Sequence, residues 1–276
     1  MGKYQRLELE LLEQKIFLPS QIIQATPVDL EDLKRVHTDS YIENVKTNSD
    51  PKELRPIGLT WSEQLYVRSV TTVGGFVKAA ESSLRDGFSA LLAGGTHHAH
   101  SNRGEGYCVF NDFAVAALKL LAEKKVSRIL IIDLDVHQGN GNSSILGNRD
   151  DVFILSLHGE RNYPFRKVPS HLDVPLPAGI EDDGYISALE NALAQIEEEA
   201  FDMIFYQAGV DVLKEDSLGS FNLTLEGLRR RDALVFGLAK RKRKPLVMGI
   251  GGGYSKPIDY TVAGYVEVFK TARNYF

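Results

Sequence analysis

The 276-residue chain has one cysteine, Cys108, and one tryptophan. A lone cysteine excludes an internal disulfide, and its apolar setting, Gly-Tyr-Cys-Val-Phe, reads as packing rather than a nucleophile's pocket. No apolar run approaches the roughly 18 residues that a membrane-spanning helix needs. The opening MGKYQRLELELLEQK shows charge where a secretory leader has an apolar centre. These absences predict a soluble protein of a reducing, cytoplasmic compartment, without membrane insertion. Basic residues are also in deficit: 32 Lys and Arg against 37 Asp and Glu leave a formal net charge of -5. Direct nucleic-acid binding, which uses a strongly basic face, is therefore not expected. The cationic run Lys240 to Lys244 reads as a helix carboxyl end meeting its macrodipole.

With 43% hydrophobic and 25% charged residues, the chain has the composition of a globular protein able to bury a large core. No linker-like stretch or short repeat divides it, so residues 1–276 read as one domain. Helical spacing from Ser62 to Asp86 precedes a short apolar run, Ala90 to Ala93. A helix from Asp112 to Lys125 then leads to strands over Arg128 to Leu134 and Val152 to Leu157. Helix Tyr185 to Glu199, strand Met203 to Gln207, helix Leu225 to Lys240, strand Leu246 to Ile250 and helix Thr261 to Asn274 follow. Helices alternating with near-continuous apolar strands predict a three-layer α/β/α fold with a mainly parallel sheet.

Ligands of such folds sit beyond the carboxyl ends of the strands, and four predicted strand ends carry reactive residues. His97 and His98 follow the first, Asp133 to His137 the second, Asp211 the third, and Gly251 to Tyr254 the fourth. In an extended chain Asp133, Asp135 and His137 share one side. Carboxylate and imidazole suit divalent ions such as zinc. Alone, this segment reads equally as a polar loop whose acids cap the next helix, and a lone Asp211 as a helix cap. Three protein ligands would leave a coordination position for water or a substrate carbonyl, as catalytic zinc requires. Adjacent imidazoles could move protons near neutrality. Tyr254, after flexible glycines, could donate to a developing oxyanion. The glycine spacing fits neither a P-loop nor a dinucleotide fingerprint.

In this order, GGTHHAH, GYCVFND, DLDVHQGNG, SLH, QAGVD with SFNLT, and GGGYS resemble the histone deacetylase and acetylpolyamine amidohydrolase family, whose fold arginases share. The resemblance runs from about His37 to Tyr254, and IGLTWSEQLYVRS and NYPFRKVPS bring it closest to bacterial-type and class IV deacetylases. It implies zinc on Asp135, His137 and Asp211, with iron and cobalt suited to the same ligands. It implies His98 as general base and then acid, His97 as its electrostatic partner oriented by Asp133, and Tyr254 as oxyanion donor. Asn140 would orient His98. Gly106 would offer its carbonyl to the substrate amide, with Tyr107, Phe165 and Gly252 also at the substrate. A structural potassium would take oxygens of Asp133, Asp135, His137, Ser156 and Leu157. The substrate would be an acylated lysine side chain or a small acylated amine.

Three departures stand out. Many family members place an acid where Asn140 stands. No aspartate lies between Arg55 and Leu65, where some relatives clamp a peptide backbone. The chain opens on a helix-like segment where relatives carry an earlier strand. The alternatives are an inactive acyl-lysine or amine reader on the same fold, and an arginase-type hydrolase with two manganese ions.

Overall fold

The computed structural model describes residues 2–276. α1 (Gly2–Glu13), α2 (Leu30–Lys34), α3 (Asp39–Thr47), α4 (Pro51–Leu54) and α5 (Glu63–Asp86) precede the first strand, β1 (Phe88–Leu91). α6 (Asp112–Ala122), β2 (Ile129–Asp133), α7 (Asn140–Leu146), β3 (Val152–Gly159), β4 (Leu172–Leu176) and α8 (Asp182–Gln195) follow. β5 (Met203–Gln207), α9 (Leu225–Lys242), β6 (Leu246–Gly249) and α10 (Asp259–Arg273) complete the order. The six strands form one sheet in the order β1-β6-β5-β2-β3-β4, every neighbouring pair parallel.

Strand alternation builds two cores from single apolar runs. Leu130 and Ile132 of β2, with Ile204, Tyr206 and Met248, pack beneath α1, α8, α9 and α10. Ile129 and Ile131, with Met203, Phe205 and Val247, pack beneath α5 and α6, where Phe76 stacks on Phe113 at 4.4 Å. Both faces are covered, so the expected three-layer arrangement holds. The first strand sits two residues earlier than Ala90 to Ala93, and the opening segment is helical, as its pattern predicts.

The chain leaves β2 toward β3 and β4 on one side, and β5 and β6 lie on the other. The sheet therefore reverses its winding between β2 and β5, which is where open α/β sheets form a crevice at the strand carboxyl ends. In the same register Asp133 lies beside Gln207 and Ser156.

Helix α6 starts at the Asn111 cap, whose side chain accepts from the Ala114 amide, while the Asn111 amide donates to Nε2 of buried His37 at 2.9 Å. Burial holds the His37 imidazole down at about 4, against 6.5 in the unfolded chain. The unfolded state thus binds the proton first. His37's contribution to stability is complete above pH 6.5 and fades as pH falls toward 4, by on the order of 3 kcal/mol in all. Denaturant unfolding at pH 7 and pH 5 should show a smaller loss in His37→Gln than in wild type, by about 2 kcal/mol. Equal losses would remove His37 as the cause.

Candidate active site

Beyond β2 the chain folds its acids back on its own amides. The Asp135 amide donates to Asp133 Oδ1 at 3.2 Å and the His137 amide to Asp135 Oδ1 at 3.0 Å. From the end of β5, Asp211 Oδ1 accepts the Val136 amide at 3.0 Å, locking the two strand ends together. His137 Nδ1 lies 3.1 Å from both Asp135 Oδ1 and Asp211 Oδ2. One ligand atom from each of Asp135, His137 and Asp211 falls within 4.8 Å of the others. Two carboxylates and an imidazole thus converge in a buried place, the donor set for a divalent cation.

The glycine loop after β6 closes on this cluster. The Gly252 amide donates to Asp135 Oδ2 at 2.8 Å, and a Cβ at that position would strike Asp211 and Asp135. Gly251 and Gly253 have positive φ of 54° and 139°, which let the loop turn this tightly. Tyr254 follows, its amide anchored to Asp216 at 2.6 Å and its half-exposed ring 6.0 Å from that of Tyr107.

His97 and His98 follow β1 through Gly94 and Gly95, whose loop hangs from Asp112: the Gly95 and Thr96 amides donate to its carboxylate at 2.8 and 2.9 Å. The two imidazoles then diverge. His97 Nδ1 is 2.8 Å from Asp133 Oδ2, whereas His98 Nδ1 is 2.8 Å from Asn140 Oδ1. Burial opposes charge on both rings. On His97 the negative charges of Asp133 and Asp135 outweigh burial and raise it to about 9. On His98 nothing comparable opposes burial, and the neighbouring His97 and His137 push it further down, well below 6.5. His98 is the neutral imidazole of the pair. Burial and the Asp135 charge bring the Asp211 carboxyl up to about 7, and Asp135 falls well below its usual range because His97 and His137 overcome its burial.

A cavity of about 1280 Å³ is lined by His97, His98, Asp135, His137, Asp211, Gly252 and Tyr254, with Gly106, Tyr107 and Phe165. Gly106 lies against the His98 ring at positive φ, and Tyr107, also at positive φ, is half exposed beside it. Phe165 stands at the mouth, 90% exposed, its ring 6.2 Å from that of Tyr163. Ser156 pairs across the sheet with Asp133 and its hydroxyl lies 2.9 Å from His158 Nδ1; Leu157 is the next residue of β3. Cys108 is buried and burial raises its thiol, as expected of a packed residue.

Three contributors escaped the sequence reading. Lys3 of α1 reaches the Gly251 and Gly253 carbonyls at 3.4 and 3.3 Å, its ammonium 4.8 Å from the centre of the Tyr254 ring. Arg231 of α9, paired with Asp232, donates to the Gly209 carbonyl at 2.6 Å and lies 3.4 Å from that of Leu134. It ties together from below the two loops that carry Asp135 and Asp211. Glu105 accepts from Asn140 Nδ2 at 2.6 Å. A lysine in an amphipathic helix, an arginine in a basic helix and an acid in a glycine-rich loop carry no local signal that sets them apart.

Among the described residues no helix is long and apolar enough to cross a membrane. Comparison with known proteins finds the histone deacetylase domain matching residues 2–268. A protein of Picosynechococcus described as uncharacterized is 38% identical over 281 aligned residues, covering 100% of this chain and 93% of that protein. Histone deacetylase 2 of Arabidopsis thaliana is 32% identical over 259 residues, covering 89% of this chain and 66% of its own length. A crystal structure of an HDAC homolog complexed with SAHA superposes with a TM-score of 0.82 at 26% identity, covering 99% of this chain and 77% of that one.

Proposed function

The chain belongs to the histone deacetylase family, and from that premise we propose that it is a zinc-dependent amidohydrolase that removes an acyl group from an acylated lysine side chain or a small acylated amine. The observation that carries the reading is a neutral, buried His98 in the same cavity as Tyr254 and the Asp135, His137, Asp211 cluster. The donor set fits zinc, having three nitrogen and oxygen ligands and no thiolate; iron and cobalt suit it too. When bound, the cation supplies Lewis-acid polarisation of the amide carbonyl and lowers the pKa of water beside it toward about 7.

The chain's own groups do the rest. His98 takes the proton of the attacking water and returns it to the departing nitrogen. His97, held by Asp133, places positive charge beside the reacting carbonyl. Tyr254 donates its hydroxyl to the oxyanion, and the Gly106 carbonyl accepts the substrate N–H. Tyr107 and Phe165 flank the acyl chain, and Gly252 brings the tyrosine loop against it. Oxygens of Asp133, Asp135, His137, Ser156 and Leu157 would hold a structural potassium, whose charge would stiffen the loop after β2. Residues 1–276 act as one deacetylase domain in the cytoplasm.

The test is release of acylate from acetyl-lysine, long-chain acyl-lysine and acetylpolyamine substrates by the zinc-loaded protein. Turnover of at least one supports the reading and names the substrate class. Zinc binding without any cleavage would replace it with a reader of acylated amines.

A further inference from the structure

Asn140 leaves His98 without a carboxylate at its Nδ1, yet a carboxylate stands directly behind the amide. Glu105 comes from the loop before Tyr107, and its side chain is only 16% exposed. Its Oε1 accepts from Asn140 Nδ2 at 2.6 Å and from the Tyr163 hydroxyl at 2.9 Å, and lies 3.6 Å from His100 Nε2. Its other oxygen is 3.3 Å from Arg103 Nε.

The polarity of this chain of contacts admits one arrangement. A carboxylate can only accept, so the Asn140 amide must face it with its NH₂ group. The Asn140 carbonyl therefore faces His98, at 2.8 Å from Nδ1. A carbonyl also only accepts, so His98 carries its proton on Nδ1 and keeps its lone pair on Nε2. Burial works against an ionised Glu105, but the neighbouring His100 imidazole and hydrogen bonds from Asn140 and Tyr163 outweigh it and hold the carboxyl well below the usual carboxylate range.

We propose that Glu105 is a positioning residue for His98, acting through Asn140 to fix the tautomer in which Nε2 is free to take a proton. The acid missing at position 140 is thereby supplied one side chain further out, from another loop. The catalytic part of this inference rests on the amidohydrolase reading; the tautomer part does not.

The experiment compares zinc-loaded wild type with Glu105→Gln, Asn140→Asp and the double variant. It reads steady-state kinetics, unfolding midpoints and ¹⁵N histidine NMR, with the His98 signals assigned from His98→Ala. Glutamine can turn either end of its amide toward Asn140, so the instruction to His98 is lost. Glu105→Gln is expected to lower kcat about 10- to 100-fold with KM unchanged, by analogy with the loss seen when the outer hydrogen-bond partner of a metal-ligating histidine is removed. Its His98 signals should report both neutral tautomers where wild type shows one. Asn140→Asp sets two carboxylates against each other, so one must take up a proton or turn away. In the double variant the amide introduced at position 105 donates to the carboxylate introduced at position 140. That carboxylate accepts directly from His98 Nδ1, and kcat should recover well above either single variant.

A merely structural Glu105 predicts additive losses and no change of tautomer. Wild-type kcat with a single tautomer in Glu105→Gln, or a double variant no better than Asn140→Asp, overturns the proposal. If wild type cleaves nothing while Glu105→Gln still mixes the tautomers, the functional reading fails and the positioning role stands.

Discussion

His98→Ala is expected to lower kcat by about 100- to 10,000-fold, the usual contribution of a positioned general acid–base, with bound metal unchanged. The two adjacent imidazoles differ in what each touches. His97 faces Asp133 at 2.8 Å and is raised to about 9, so at neutral pH it holds its proton and is a poor base. His98 faces only the neutral Asn140 amide, and burial with two neighbouring histidines keeps it uncharged. It takes no part in the Asp135, His137, Asp211 cluster, so removing it should spare metal affinity. Steady-state kinetics with metal analysis on the same sample checks this. Loss of metal together with activity would make His98 a structural element of the cation site instead.

Tyr254→Phe is expected to lower kcat and kcat/KM together by about 100- to 1000-fold, or 2.7 to 4 kcal/mol of barrier, as loss of one oxyanion donor does. The fold does not need the hydroxyl. Asp216 holds the Tyr254 amide, and Lys3 holds the Gly251 and Gly253 carbonyls beneath the ring. Desolvation raises the phenol further from ionisation, so it remains a donor across the working pH range. Unchanged unfolding and unchanged substrate affinity should therefore accompany the lost rate. A variant that raises KM alone would place Tyr254 in substrate binding and remove it from the chemistry.

Much of this architecture is legible in the chain because burial on both faces leaves continuous apolar runs. Ile129 to Ile132 and Met203 to Tyr206 are fully buried and could hardly be read as anything but inner strands. β4, Leu172–Leu176, is the opposite case: an edge strand, half exposed and containing Pro175, it gives no such run. α7 escapes for another reason, because Asn-Gly-Asn-Ser-Ser reads as a loop, whereas in the fold the buried Asn140 and Ser143 side chains find partners on other segments. The short helices before α5 carry too few turns to show a period.

The site divides in the same way. Asp133, Asp135, His137 and Asp211 are visible because they lie at or just beyond the carboxyl ends of two inner strands, where sites of such folds form, and the family resemblance implies a role for each. Glu105, Lys3 and Arg231 act on the site across separations of 35, 248 and 97 residues, to Asn140, Gly251 and Leu134 in turn. Only the folded chain brings such pairs together, and no local pattern marks them.

The most direct test of a single catalytic metal is zinc titration of the metal-stripped protein with acylate release as the readout. Turnover should be absent without metal, rise linearly on addition, and saturate at one equivalent per chain. Activity that survives stripping, or that requires two equivalents, would contradict a single-metal site on Asp135, His137 and Asp211.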